Sequence, residues 1–265
     1  MSFFLKLLKW LLKWRGFILV KATSKERVKS LIEKLRPFKT EKQLIRLGPN
    51  GDGGYLVPDD LIGVKACFSP GVYKTVQFEE DCLKLGMKVF MADNSVESPE
   101  LKNHIGQYDF IKKHIGSTLN ETFITMDQWV NSVLQDSHED LLLQMDIEGG
   151  EYYSLINMSD RLLGQFRILV IEFHFLEELW NPSFFNVAEV VFNKILQTHT
   201  CVHIHPNNSC AIDCQFGIEI PSVAEFTFLR NDRIKHKTNQ VNFPHKLDYD
   251  NTENKHVKLP SNWHY

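Results

Sequence analysis

Two stretches limit what this chain can fold into. Residues 140–151 read DLLLQMDIEGGE, and residues 166–174 read FRILVIEFH. Each is apolar at successive positions and then stops abruptly at acidic residues or at an acid and a histidine. A strand with one wet face alternates apolar and polar residues. A continuous apolar run fits a strand covered on both faces, as in a parallel sheet flanked by helices. The neighbouring segments agree. VKACFS (64–69), MKVFMAD (87–93), YDFIKKHIG (108–116), CVHIHPNN (201–208) and AEFTFLRND (224–232) read as further strands. TVQFEEDCLKLG, TMDQWVNSVLQ, YYSLINMS and FNVAEVVFNKILQTH carry helical rhythm, with Gly86 as a C-cap and Thr125 as an N-cap. SPELKNHIG reads as a short helix opening at a Ser-Pro cap. Strands and helices alternating at this length predict an α/β fold around a doubly wound parallel sheet.

Charge and cysteine usage narrow the setting. The formal net charge of the 265 residues is −3, which argues against nucleic acid as the main partner, because phosphate binding needs dense Lys and Arg. The five cysteines are odd in number and lack a paired CxxC, which suggests core thiols in a reducing, cytoplasmic setting. Cys210 and Cys214 flank AID in a loop-like stretch, and a structural zinc takes four close ligands. Residues 1–20 hold Lys6, Lys9, Lys13 and Arg15 and no acid, so the remainder stands near −7. The three lysines share one helical face, with Trp10 and Trp14 at its flanks. Such a helix suits either peripheral contact with a membrane surface or packing on the domain or a second subunit. The domain reading is an N-terminal helical extension over 1–43, a catalytic domain over 44–232, and a polar tail over 233–265 that packs loosely.

In doubly wound sheets, ligands bind beyond the carboxyl ends of the strands. Asp93, Asp146, Glu172, His174, His203 and His205 all fall at or just after predicted strand ends. Asp93 could accept hydrogen bonds from both hydroxyls of a ribose, or cap the next helix, a task that Asn94 or Ser95 could take instead. The loop after the first strand, SPGVYKTVQFE, lacks GxGxxG, which disfavours a nucleotide pyrophosphate, while Gly71 still permits close backbone approach. MDIEGGEY sets Asp146, Glu148 and Glu151 around a Gly-Gly turn, and acids buried this close need pairing, hydrogen bonds or a metal. Glu172 and His174 share one strand face, as do His203 and His205, which Asn207 and Asn208 follow. A histidine here could serve as general base. With Asp146 or Glu172, the same groups could hold a divalent cation such as Mg. The GDGG segment before the first strand is either a turn or a loop closing over a pocket through Asp52 or Tyr55.

MDIEGGEYYSL resembles the "DIEGxE" signature of FkbM-type methyltransferases, and ITMDQWV resembles the "TLDxxL" segment that precedes it. GPNGDGGYLVPDDL, FSPGV, FMADNS, IEFH, HIHPNN and IPSVAEFTFLRND follow in the order found in one branch of those proteins, so the resemblance covers roughly residues 44–230. It implies a Rossmann-like class I fold, with a seven-stranded, mostly parallel sheet and an antiparallel last strand. It implies S-adenosylmethionine bound through Ser69, Gly71, Asp93, Asn94 and Asp146, and methyl transfer to a hydroxyl of a sugar, glycan or similar small molecule. In that scheme Asp146, His174 and His205 are catalytic, and Asp52, Tyr55, Glu148, Asn207 and Asn208 meet the acceptor. SPGV stands where many relatives carry a glycine-rich motif. That departure leaves open a binding module without catalysis, and the Asp, Glu and His residues leave open a metal-dependent hydrolase.

Overall fold

The computed structural model describes residues 3–73, 75–99, 101, 108–134 and 139–265. Its centre is a seven-stranded sheet of β1 (Ala66–Pro70), β2 (Lys88–Ala92), β3 (Tyr108–Ile111), β4 (Leu141–Met145), β5 (Phe166–Phe173), β6 (His199–Pro206) and β7 (Ala224–Arg230). The order across it is β3-β2-β1-β4-β5-β7-β6. Neighbours from β3 to β5 run parallel, and β7 lies antiparallel between β5 and β6. The α/β architecture expected from the apolar runs is therefore present. Every residue of β4 and β5 is buried, as strands covered on both faces require.

Helices α2 (Lys25–Leu35), α4 (Met126–Leu134), α5 (Glu151–Asn157), α6 (Asp160–Leu163) and α7 (Pro182–Thr198) cover one face. In α7 the buried Phe185, Ala188, Val191, Phe192 and Ile195 recur every three or four residues and make one apolar stripe. Asn181 caps it by accepting from Ser183 N, with Pro182 in the first turn. Thr125 and Gln128 exchange side-chain-to-backbone bonds, a capping box that starts α4. Helix α3 (Gln77–Lys84) and the hairpin of Leu44–Leu47 with Tyr55–Pro58 cover the other face.

Both expected domain edges shift. Val28, Leu31, Ile32 and Leu35 of α2 are at most 2% exposed and belong to the main core, so only the chain before Thr23 stands apart. It begins with helix α1 (Phe3–Trp14), and none of residues 6–22 is buried. The tail, expected to be loose, is packed down. Lys237–Asn239 pairs antiparallel with Phe38–Thr40, and Trp263 is fully buried against Phe226 with its indole N–H on Glu219 O. The anchors are few and far apart, so the average polarity of the tail hides them. The short helix expected over SPELKNHIG falls mostly on residues outside those described. No helix among the described residues is long and apolar enough to cross a membrane.

Candidate active site

Beyond β4 the chain must reverse within six residues to enter α5. Glu148 and Gly149 do this with φ of 54° and 97°, a left-handed turn that strains the glutamate and suits the glycine. A Cβ at Gly149 would also sit 2.4 Å from the Phe175 ring, which would have to swing aside. Glu151 is fully buried and accepts from Ile147 N and Gly149 N at 3.0 and 3.1 Å, which ties the turn from inside.

The end of β5 brings His174 to this turn. Its Nδ1 lies 3.2 Å from Glu151 Oε1. Its Nε2 faces Glu148 at 3.3 Å, Asp146 at 3.9 Å and Glu172 at 4.0 Å. The Tyr152 hydroxyl donates to His174 O and fixes the backbone. Burial alone would make this imidazole less basic, but the bond to Glu151 and the charges of Asp146 and Glu172 outweigh it and raise its pKa to about 9. It is thus a cation at neutral pH, a hydrogen-bond donor and not a base. Burial, reinforced by Glu172, holds the Asp146 carboxyl well above the usual range. Burial and the neighbouring Glu225 push Glu172 up to about 8. Asp146 Oδ1, Glu151 Oε2 and Glu172 Oε2 are buried and make no hydrogen bond. For stability alone this arrangement is unfavourable, since each unsatisfied buried polar group costs about 1–3 kcal/mol.

Asp146, Glu148 and His174 each offer a ligand atom within 4.8 Å of the others. The Glu151 carboxylate on the far ring nitrogen supplies the second contact that metal-ligating histidines use to fix their orientation. Among the described residues, the group suited to a cation is therefore these three. Glu172, paired with Asp146 in the sequence reading, stands behind them, where Asn207 Nδ2 donates to its Oε1 at 2.8 Å.

Strand register extends the row sideways. Glu172 pairs with Glu225 on β7, and Glu225 with His205 on β6. Burial pushes Glu225 up to about 7, against the pull of His205 and the Asn251 amide. His205 does not reach the His174 cluster. It is 4% exposed and shares Asp248 with His203, which lies 2.8 Å from that carboxylate. Asn208, expected to meet an acceptor, instead clamps the tail: it donates to Thr252 O and Asn254 O and accepts from Thr252 N. Asn207 likewise accepts from Ser209 N, so it braces the cluster.

On the other side, β1 ends at Pro70 and Gly71 turns with φ of 88°. A Cβ on Gly71 would lie 1.5 Å from Asp146 O. This glycine lets the ends of β1 and β4 touch, a packing demand beside any ligand role. Asp93 accepts Ser95 N and Ser95 Oγ with one oxygen, at 2.6 and 2.7 Å, and is half-buried beside half-buried Asn94. Ser69 is fully buried, 2.5 Å from Glu79 Oε1 and 2.6 Å from Gln144 Oε1. Burial raises Glu79 to about 7; its protonated form can donate to Ser69, which in turn donates to Gln144. Gln144 Nε2 donates to the Tyr55 hydroxyl at 3.3 Å. Tyr55 is 4% exposed and underlies the site, whereas Asp52 is exposed, 3.5 Å from Asn251 Nδ2.

Glu79, Gln144, Glu225 and Asp248 were not anticipated. The signal for Gln144 and Glu225 was present: Gln144 is a single polar residue inside the apolar run LLLQM, and Glu225 is the one acid inside AEFTFL. Compared with known proteins, the chain matches no family model and no curated sequence.

Proposed function

We propose that the protein is an S-adenosylmethionine-dependent methyltransferase acting on a hydroxyl of a sugar, glycan or similar small molecule. The observation that carries this reading is the position of Asp146. The strand order leads away from the β1–β4 pair in both directions, and such a switch point is where open α/β sheets take ligands. Asp146 leaves the sheet there, packed against Gly71, with Oδ1 unpaired.

S-adenosylmethionine supplies an electrophilic methyl group on a positively charged sulfonium. A cationic donor placed here would draw the raised carboxyls of Asp146 and Glu172 toward their ionised form. Asp93 and Asn94 would hold its ribose, Asp146 would face the sulfonium, and Ser69 and Gly71 would shape the loop beside it. The antiparallel last strand and the DIEGGE turn are the features the FkbM resemblance implies.

Methylating a hydroxyl releases one proton. Burial and Glu172 make the Asp146 carboxylate more basic than a free one, so in its ionised form it is the group that would take that proton. His174, held by Glu151 and cationic, orients the acceptor oxygen by donating to it. The roles expected from the sequence are thereby exchanged, and His205 becomes part of the buried support. A divalent cation on Asp146, Glu148 and His174 would instead displace the Nε2 proton and take over the polarising of that oxygen, and the imidazole in that set suits manganese or zinc better than magnesium.

The test is transfer of label from methyl-labelled S-adenosylmethionine to a panel of sugars and oligosaccharides. Asp146→Asn should lower kcat by about 100-fold or more with S-adenosylhomocysteine binding retained. Unchanged turnover in Asp146→Asn would overturn the assignment. The three candidate cation ligands also suit a hydrolase; hydrolysis that needs a metal and no S-adenosylmethionine would favour that reading.

A further inference from the structure

A second feature, independent of the proposed chemistry, lies at the N-terminal segment. Helix α1 carries Lys6, Lys9 and Lys13 as a narrow strip on one side, since residues three and four apart share a helix face. Apolar residues fill the rest of its circumference. None of residues 6–22 is buried by the body. Trp10 is 62% exposed and Trp14 78%, and just beyond the helix Phe17 and Ile18 are 62% and 86% exposed. So much contiguous apolar surface is unusual on a protein facing only water.

The foot of this segment is fixed. Thr23 N donates to Trp180 O at 2.8 Å. The Trp180 ring packs edge-on against Phe216, with centroids 5.1 Å apart. Phe216 sits at the tip of the hairpin Ile212–Gln215/Ile218–Pro221, 62% exposed and with φ of 51°. A phenylalanine in left-handed backbone is disfavoured by sterics and gains nothing from exposure to water. The segment is thus anchored at Thr23 to the residue that Phe216 packs on, so its foot and the bare ring of Phe216 share one side of the molecule.

We infer that residues 3–20, with Phe216 as a second contact, form a docking surface for a bilayer bearing anionic headgroups. Charge and residue type select this occupant. The first twenty residues hold four basic side chains and no acid, on a chain otherwise near −7. Tryptophans beside lysines match the headgroup level, where rings bury their apolar edges and ammonium groups stay wet. Twelve residues of helix are too short to span a bilayer and suit lying within its surface. The acidic body would be repelled by such a membrane, so contact would stay confined to this surface.

The test is co-sedimentation of the full chain with phosphatidylcholine vesicles containing about 30% phosphatidylserine, against phosphatidylcholine alone, with salt varied. Binding should require the anionic lipid and weaken at high salt. Replacing Lys6, Lys9 and Lys13 together by Gln should lower affinity about 100-fold, at about fivefold for each lysine. Phe216→Gly, which relieves the backbone and so preserves the fold, should lower it about tenfold. Absence of binding to anionic vesicles, or equal binding by the triple-Gln variant, would overturn the proposal. So would a dimer that Trp10→Ser dissociates while vesicles leave the wild type unbound, because the covered face would then belong to a second copy.

Discussion

The two ends of the central sheet treat buried charge in opposite ways. Where β4 and β5 begin and β7 finishes, each acid has a cation. Asp140 receives Arg167 at 2.5 Å and Arg230 at 2.7 Å. Asp60 receives Arg233 at 2.7 Å and Lys42 at 2.9 Å. Burial would raise both carboxyls, yet these partners hold them below their usual range. At the far ends of the same strands the acids face one another. Asp146, Glu172 and Glu225 are all raised, burial being the first cause in each. Arginine is therefore used where a buried acid serves the fold. Its scarcity among the acids at the other rim marks groups kept basic and open to a positively charged or proton-donating ligand. Strain follows the same division, since Glu148 and Phe175 hold left-handed backbone on either side of His174.

Breaking the paired end should have the largest effect. Asp140→Ala leaves Arg167 and Arg230 without their shared carboxylate and should cost about 3 kcal/mol of stability, read from the urea midpoint at constant m. At the same end, burial holds His199 near a pKa of about 4 against 6.5, with Nε2 2.8 Å from Phe166 O. A folded-state pKa below the unfolded one means that the unfolded chain binds more protons. Stability from this group is complete above pH 6.5 and is lost as pH falls to 4, about 3 kcal/mol in all; His199→Gln should flatten that acid limb. The carboxylate-rich rim has the opposite sign. Glu225 is raised from 4.5 to about 7, so its contribution is complete below pH 4.5 and is lost as pH rises to 7. Glu225→Gln should therefore stabilise the protein at pH 8, by roughly 2 kcal/mol. Destabilisation there would mean that this rim is built for the fold like the other one.

Much of this contrast was legible in the chain, and the unread part has physical causes. Runs such as LLLQM and ILVIEF announce buried strands because continuous apolarity has few other solutions, and the acids at their ends mark the rim. Spacing also placed Glu172 and His174 together. It could not show that His205, on an equally suggestive HxH, is covered by Asp248 from a tail that composition painted as loose. Nor could it show that His174 is cationic, because that depends on four carboxylates from two different strand ends meeting one ring. Gly71 read as room for a ligand; its neighbour in the fold is the Asp146 carbonyl. Register, which pairs Glu172 with Glu225, is invisible until strand order is known.

The proposed methyl-donor pocket at Asp93 and Asp146 is read by calorimetric titration with S-adenosylhomocysteine, which keeps the donor's adenosyl group without the sulfonium charge. Saturable one-site binding is expected, weakened about tenfold by Asp93→Ala through loss of the ribose hydrogen bonds and unchanged by Ser95→Ala, which loosens the turn but keeps the carboxylate. No saturable binding, or equal affinity in wild type and Asp93→Ala, would contradict it.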